Sequence, residues 1–378
     1  MRRTVILAAL AAFFTLSLSI QAVATNSLPL IVRIGGESSH FLAMWNGITL
    51  QPFEDVTADL RWGNPQLAPN GSYLAYTTYG QVNRRTPQPR GADVPTDVFL
   101  VPMAPTLDFG SAQRIAAQPE DATYNADGTG TYLVRTNPAW SADGTALVWA
   151  EYSSADGAAR LVRYVVESAS VDVLADDLPL RADDYRLGTL HWSAAGVLYT
   201  LQEAQSTRLL IYSAEGERLH DHSLDFSAAA VWISTPQGEQ IALGRGAEMP
   251  YTYLLLAAET GALMPFEETQ APALSAHGVD PERSVSISAA PTFWSVSVIG
   301  TSRSLEGLAA APFPSAQMAL SPDGRLAAYV DSEGSLHTIS QDGVLITLTG
   351  SIFGLQPEPM HAIAWGAPRW VIGSFFMR

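Results

Sequence analysis

Four groups of residues in this chain have the types and spacing that chemistry needs. His191 and His361 each lie in an apolar run close to a tryptophan, Trp192 and Trp365, where they could face a binding channel, although packing or hydrogen bonding within the fold is the plainer reading. Asp176, Asp177, Asp183 and Asp184 crowd one short segment, a composition that suits a hard cation or a basic partner. They lack the every-other-residue spacing of a calcium loop, so a solvated charged loop is the plainer reading. Arg84, Arg85 and Arg90 stand among Pro87, Pro89 and Pro95 in the segment from Gly80 to Asp97. Guanidinium groups grip carboxylates two bonds at a time, and proline lowers the entropy lost on docking, so this segment is a candidate docking loop, with a disordered surface loop as the plainer reading. His220 and His222 flank Asp221 and share one side of an extended strand, with Asp225 nearby as a third metal ligand; a polar outer strand explains them as well. A further loop, Asp121 to Thr131, has Tyr124 and Tyr132 beside it and the same standing.

Composition removes much else. There is no cysteine, so disulfides, thiol nucleophiles and thiolate metal sites are excluded. All 21 basic residues are arginine, and without lysine neither Schiff-base chemistry nor a P-loop is available. The net charge of −16 repels nucleic acid and anionic lipid. No Gly-x-Ser-x-Gly elbow occurs, which argues against a serine hydrolase. No cofactor and no metal are expected, and the site residues singled out are binding candidates rather than catalytic ones.

What must position these residues is a repeated hairpin. Asn137 to Tyr152 runs as a short strand ending at Trp140, a turn at Ala142-Asp143-Gly144, and an unbroken apolar strand from Ala146 to Ala150 that suits a sheet covered on both faces. Asn64 to Tyr76 and Gln317 to Tyr329 repeat the unit, with weaker versions at Leu190 to Tyr199, Val231 to Leu243 and Ala273 to Ser288. The apolar residue before each turn gives the landmarks Leu67, Trp140, Trp192, Trp232, Leu274, Leu320 and Trp365. Most steps between them fall at about 40–50 residues, the length of a four-stranded propeller blade. Two further strand-like runs follow each hairpin, such as Ala159 to Val166 and Ser170 to Leu174. The repeating tryptophans are therefore core between blades.

The Pro-x-Trp-Ser-x-Asp-Gly pattern at Pro138 to Gly144, nearly repeated at Leu320 to Gly324, resembles the WD-like repeats of TolB-type β-propellers. The resemblance covers most of residues 40–378. It implies an all-β, seven-bladed propeller, with six or eight blades as alternatives. It also implies exported proteins that bind or scaffold, with the propeller halves of some peptidases as relatives. The Asp-box of sialidase-like propellers fits less well, because Asp143 and Gly144 are adjacent here. The termini predict a shared blade: Ala362 to Trp365 and Trp370 to Phe376 as first and second strands, His40 to Trp45 and Ile48 to Phe53 as third and fourth. Phe53 and Val371 then belong to one sheet.

Arg2 and Arg3 precede an apolar run from Val5 to Ile20, and Ala22-Val23-Ala24 follows, the layout of a signal peptide over residues 1–24. Residues 25–378 then form a single propeller domain, exported and extracytoplasmic, with no transmembrane segment after cleavage. The expected function is a monomeric, non-catalytic binding or scaffold module for a protein or cell-envelope ligand. The alternative is a lyase or glycosidase built on face carboxylates and histidines, which requires His191, His361 and an acid to meet in one pocket.

Overall fold

Three turns of closely related chemistry set the pattern of the structure. Ser141 Oγ donates to Asp143 Oδ1 at 2.6 Å, and the same oxygen accepts the Thr145 amide at 3.0 Å. Gly144 turns the chain at φ 71°, its amide donating to Ser141 O at 2.9 Å. Ser321, Asp323 and Gly324 repeat these three bonds at 2.6, 3.1 and 2.8 Å. Asn70 plays the aspartate's part before Gly71, accepting the Ser72 amide at 3.0 Å. Each turn thus satisfies its own amides, so the flanking strands pair locally in one register.

The computed structural model describes residues 30–374 except 36–39, 46–49, 53–63, 81, 85–93, 104–106, 126, 183–185, 247, 249, 267–269, 277, 280–284, 290–293, 299–300, 306–310, 314 and 349–359. The proposed signal segment, 1–24, lies outside the described residues. No described helix is long and apolar enough to cross a membrane.

The strands follow one another as antiparallel meanders. β1 (Leu30–Gly35), β2 (His40–Trp45) and β3 (Leu50–Pro52) form the first, with β31 (Met360–Ala364) from the other end of the chain paired to β1. The second holds β4 (Gln66–Leu67), β5 (Tyr73–Tyr79), β7 (Thr96–Pro102) and β8 (Gln113–Ala116). Between its members, β6 (Asn83–Arg84) leaves to pair in parallel with β9 (Thr123–Tyr124). In the third, β10 (Leu133–Arg135) and β11 (Ala139–Trp140) both pair with β12 (Ala146–Ser153), followed by β13 (Ala159–Val165) and β14 (Ser170–Ala175). The fourth is β15 (Thr189–Ser193), β16 (Gly196–Gln202), β17 (Thr207–Tyr212) and β18 (Arg218–Leu224). Then come β19 (Ala229–Thr235), β20 (Gly238–Arg245), β21 (Thr252–Leu256) and β22 (Leu263–Pro265). The next is β23 (Gln270–Ala276), β24 (Ser286–Ala289), β25 (Trp294–Val298) and β26 (Thr301–Leu305). After it run β27 (Met318–Leu320), β28 (Leu326–Val330), β29 (Leu336–Ser340) and β30 (Leu345–Leu348).

Apolar clusters join each meander to the next. Leu42 of the first packs with Leu74 of the second, Leu100 with Leu147, Val148 with Tyr199, and Leu198 with Leu243. Ile233, Ile287 and Leu320 share one cluster, and Ala319 and Val330 pack with Val32 of the first meander. The contacts return to where they began, so the sheets form a ring: the chain folds as an all-β propeller. β12 shows why the apolar run was needed, since Ala146 to Tyr152 are buried at every position.

The closure differs from the sequence-based expectation. β2 and β3 do take the third and fourth places and β31 the first, but the second strand is Leu30–Gly35, which sequence reading missed. Val371 and the strand ending at Pro52 lie in separate sheets, while Phe53 is outside the described residues. The predicted second strand instead becomes β32 (Pro368–Ser374), which runs parallel to β19 (Ile233 opposite Trp370) and antiparallel to β23 (Leu274 opposite Trp370). Two features account for this. Leu-Ile-Val-Arg-Ile-Gly is buried at all positions but Arg33, and so fits between two meanders. Gly366, at φ 61°, sits where an added Cβ would lie 2.7 Å from Leu320 O, so only glycine allows the turn that sends β32 across to β19 and β23. There Trp370 is 2% exposed and packs against Phe313 edge to face at 5.2 Å.

Candidate functional site

Two regions of the ring gather the functional side chains. The first is a rim where three insertions, far apart in sequence, meet. Tyr79, Val94, Tyr124, Tyr132, Val134 and Tyr152 form one buried cluster, and Leu180 and Leu187 of the acidic segment pack against it. Tyr124 and Tyr132 meet edge to face at 5.0 Å, and the Arg186 guanidinium lies 5.2 Å from the Tyr152 ring centre. The β6–β9 pair ties the arginine-rich segment to the loop that carries Tyr124.

Beneath this rim sits a buried ionic network. Arg135 donates through Nε to Glu151 at 2.6 Å, through Nη1 to Thr96 O at 2.5 Å and through Nη2 to Ala117 O at 2.9 Å. Asp97 lies 3.9 Å from Arg135 and 3.6 Å from Arg114, and accepts the Gln118 amide at 3.0 Å. Arg160 pairs with the other oxygen of Glu151. A buried charge is tolerable only with such partners. Asp97, read from sequence as the end of a surface insertion, is therefore a fully buried member of β7, and the insertion stops short of it.

The second region is the ring's centre, a cavity of about 540 Å³ walled by the first strands of the meanders and by β32. Six of the seven repeat landmarks line it; Leu320 does not. The tryptophans are thus core and cavity wall at once: Trp140, Trp232 and Trp365 are no more than 7% exposed, and Trp140 Nε1 donates to Gln66 O of the neighbouring meander at 3.0 Å. The rim borders this cavity, since Val134 and Leu187 belong to the tyrosine cluster while Asn137 and Gly188 line the wall.

His191 lies on the cavity wall, and its Nδ1 accepts the Trp232 amide at 3.3 Å, which leaves the ring proton on Nε2. Desolvation lowers its pKa to about 4, so the ring is neutral at ordinary pH. His361 does not join it: its Nε2 donates to Gly35 O at 3.1 Å, and it is not a wall residue. Among the described residues Glu239 is the only carboxylate of the wall, and it accepts the Ser234 hydroxyl at 2.5 Å. Among the described residues Arg369 of β32 is the only cation of the wall.

The other candidates are dispersed. Asp177 is exposed and lies 3.7 Å from Arg218; Asp176 is exposed. Asp183, Asp184, Arg85 and Arg90 lie outside the described residues, and Arg84 is placed by its backbone in β6. His220 and His222 do share one side of β18, their rings stacked at 5.8 Å, but His222 bonds Ala258 O at 2.7 Å and Asp221 is gripped by Arg208. Among the described residues no group of three or more acidic or imidazole side chains is arranged to hold a metal. Sequence reading missed Tyr79 and Tyr152 of the rim and Arg369 of the cavity. The tyrosines stand at the ends of strands rather than in the loops that drew attention, and a single arginine between Pro368 and Trp370 has no local signature.

Neither a family model nor a curated protein matches the sequence. Solved structures similar in fold include TolB of Acinetobacter baumannii, at 14% identity and TM-score 0.43, covering 89% of this chain and 66% of that one. An oligogalacturonate lyase of Vibrio parahaemolyticus is similar at 10% identity and TM-score 0.44, covering 85% of each chain. The propeller domain of the Trilobed protease of Pyrococcus furiosus is similar at 12% identity and TM-score 0.45, covering 75% of this chain and 83% of that one.

Proposed function

We propose that this chain is an exported, seven-bladed propeller that acts by binding a protein or cell-envelope partner through its tyrosine-cored rim. The observation that supports this reading is the convergence of three insertions on one cluster. Loops that fold onto a shared core are held in place before a partner arrives, which lowers the entropy lost on docking. The segments that supply the rim mix charge in sequence, with Arg186 following the acidic run and Arg84, Arg85 and Arg90 in the proline-rich insertion, and such mixing suits a protein surface more than a polyanion. Seven successive meanders among the described residues support the blade count. The arginine-led apolar leader supports export with cleavage near residue 24, and a monomer without cofactor or nucleic-acid partner fits the composition.

The alternative, a lyase or glycosidase, draws its support from the cavity, where His191 and Glu239 share a wall. Each already has a partner on its own chain, and the second histidine lies elsewhere, so binding remains the preferred reading. The test replaces residues 85–93 by a short Gly-Ser linker and, separately, Tyr152 by Ala. Cross-linked capture from the native envelope is expected to lose its partner with both variants. Unchanged recovery with both removes the rim from the proposal.

A further inference from the structure

Arg369 stands out among the cations of the ring. The buried Nε of Arg33, Arg163 and Arg181 also lacks an acceptor, but none of those three lines the central cavity, while Arg135 and Arg160 bind Glu151 and Arg245 lies over the Phe226 ring at 4.0 Å. Arg369 lines the central cavity, and among the described residues its buried Nε has no hydrogen-bond acceptor and its side chain forms no ion pair, not even with Glu239 on the same wall. It is fixed in place from behind, because its backbone is opposite Ser275 within the β23–β32 ladder and its neighbour Trp370 is buried. The remaining wall mixes polar groups such as Asn64, Gln66 and Asn137 with an apolar part supplied by Trp140, Trp192, Trp365, Leu274 and Met318.

We propose that the central cavity is a binding site for a monoanionic ligand, an organic carboxylate on an apolar or aromatic body, with Arg369 as its anchor. A guanidinium offers a planar fork that matches a carboxylate, and a partly desolvated setting strengthens that charge-assisted pair. One cation balances one negative charge. A phosphate dianion is disfavoured, because Glu239 shares the wall and the whole chain carries −16. The tryptophans and aliphatic side chains supply the surface that buries the ligand's body, and the volume falls within the range of small-molecule sites. The carboxylate can belong to a free organic acid or to the C-terminus of an apolar peptide, which offer the same chemistry. This site is separate from the rim, so loss of partner capture by the rim variants leaves it standing.

Titration of the whole protein, followed by tryptophan fluorescence and calorimetry, tests the idea. The probes are 4-phenylbutyrate, its methyl ester, phenyl phosphate, and an apolar tetrapeptide as free acid and as amide. Saturable binding of at least one carboxylate is expected, with the matching ester or amide weaker by about tenfold or more. Arg369→Gln is expected to bring the acid down to the level of the neutral probe, and Arg369→Lys to recover part of the difference. The arm that binds tells the free acid from the peptide terminus. Absence of binding by every probe at millimolar concentration, equal binding of acid and neutral probe, tighter binding of phenyl phosphate, or a folded Arg369→Gln protein that binds like the parent each overturns the proposal. Should Arg369→Gln fail to fold, the acid-to-neutral ratio on the parent protein decides.

Discussion

Two seams of the ring are held by opposite means. Between the second and third meanders the bonds come from side chains: Asn70 Nδ2 donates to the carbonyls of Asp143 and Gly144 at 3.1 Å each, Thr77 donates to Asn137 at 2.9 Å, and Arg135 spans Glu151 and Thr96. Between the fifth and sixth meanders the bond is backbone, with β32 inserted so that β19 and β23 become parts of one nine-stranded sheet. The first arrangement depends on the chemistry of single atoms. The second depends on length and register, and tolerates changes of side chain provided that the strand is present.

The sharpest way to break the comparison is to end the chain after Gly366. Loss of β32 leaves the innermost edges of β19 and β23 open and removes Trp370 from its cluster. It is expected to abolish a single cooperative urea transition, whereas Trp370→Ala alone costs about 3–5 kcal/mol. A truncated chain that melts like the parent refutes the structural role of the strand. Next in size is Arg135→Met, which leaves Glu151 and Asp97 with a buried charge deficit and is expected to cost about 3–5 kcal/mol in urea unfolding. A loss under about 1 kcal/mol means that water or Arg160 already supports those carboxylates. The smallest effect is a pH dependence at the fourth-to-fifth seam, where neutral His191 accepts from Trp232. Its folded pKa is about 4 against 6.5 when free, so below pH 6.5 the unfolded chain binds a proton that the folded one refuses. Stability present above pH 6.5 is lost on acidification toward pH 4, by less than about 3 kcal/mol because the ring is only partly buried. His191→Gln is expected to flatten that slope, and a slope unchanged by the substitution assigns it to other groups.

The ring was legible because its punctuation is chemical. Asp143-Gly144 and Asp323-Gly324 state their turns in the residues themselves, and the apolar residue before each turn marks the centre. The rim was half legible: the proline- and aspartate-rich insertions could be picked out one by one, but nothing local says that Tyr79 and Leu187 touch. The strand at Leu30 was lost because it follows closely on a leader-like segment and has no Asp-Gly turn. The placement of β32 was not legible at all, since an apolar strand after a Trp-Gly turn reads as the next member of a meander. Only the crowding of Gly366 against Leu320 O diverts it, and that contact joins residues from different repeats.

The pairing of β1 with β31 joins segments more than 300 positions apart, as the His361 to Gly35 bond shows at a separation of 326. Hairpins such as that at Asp143 need only a few neighbouring residues and can form in microseconds, whereas this pairing must wait for a very long loop to close. Folding is therefore expected to be slow in its final step, through an unclosed array whose bare strand edges invite self-association.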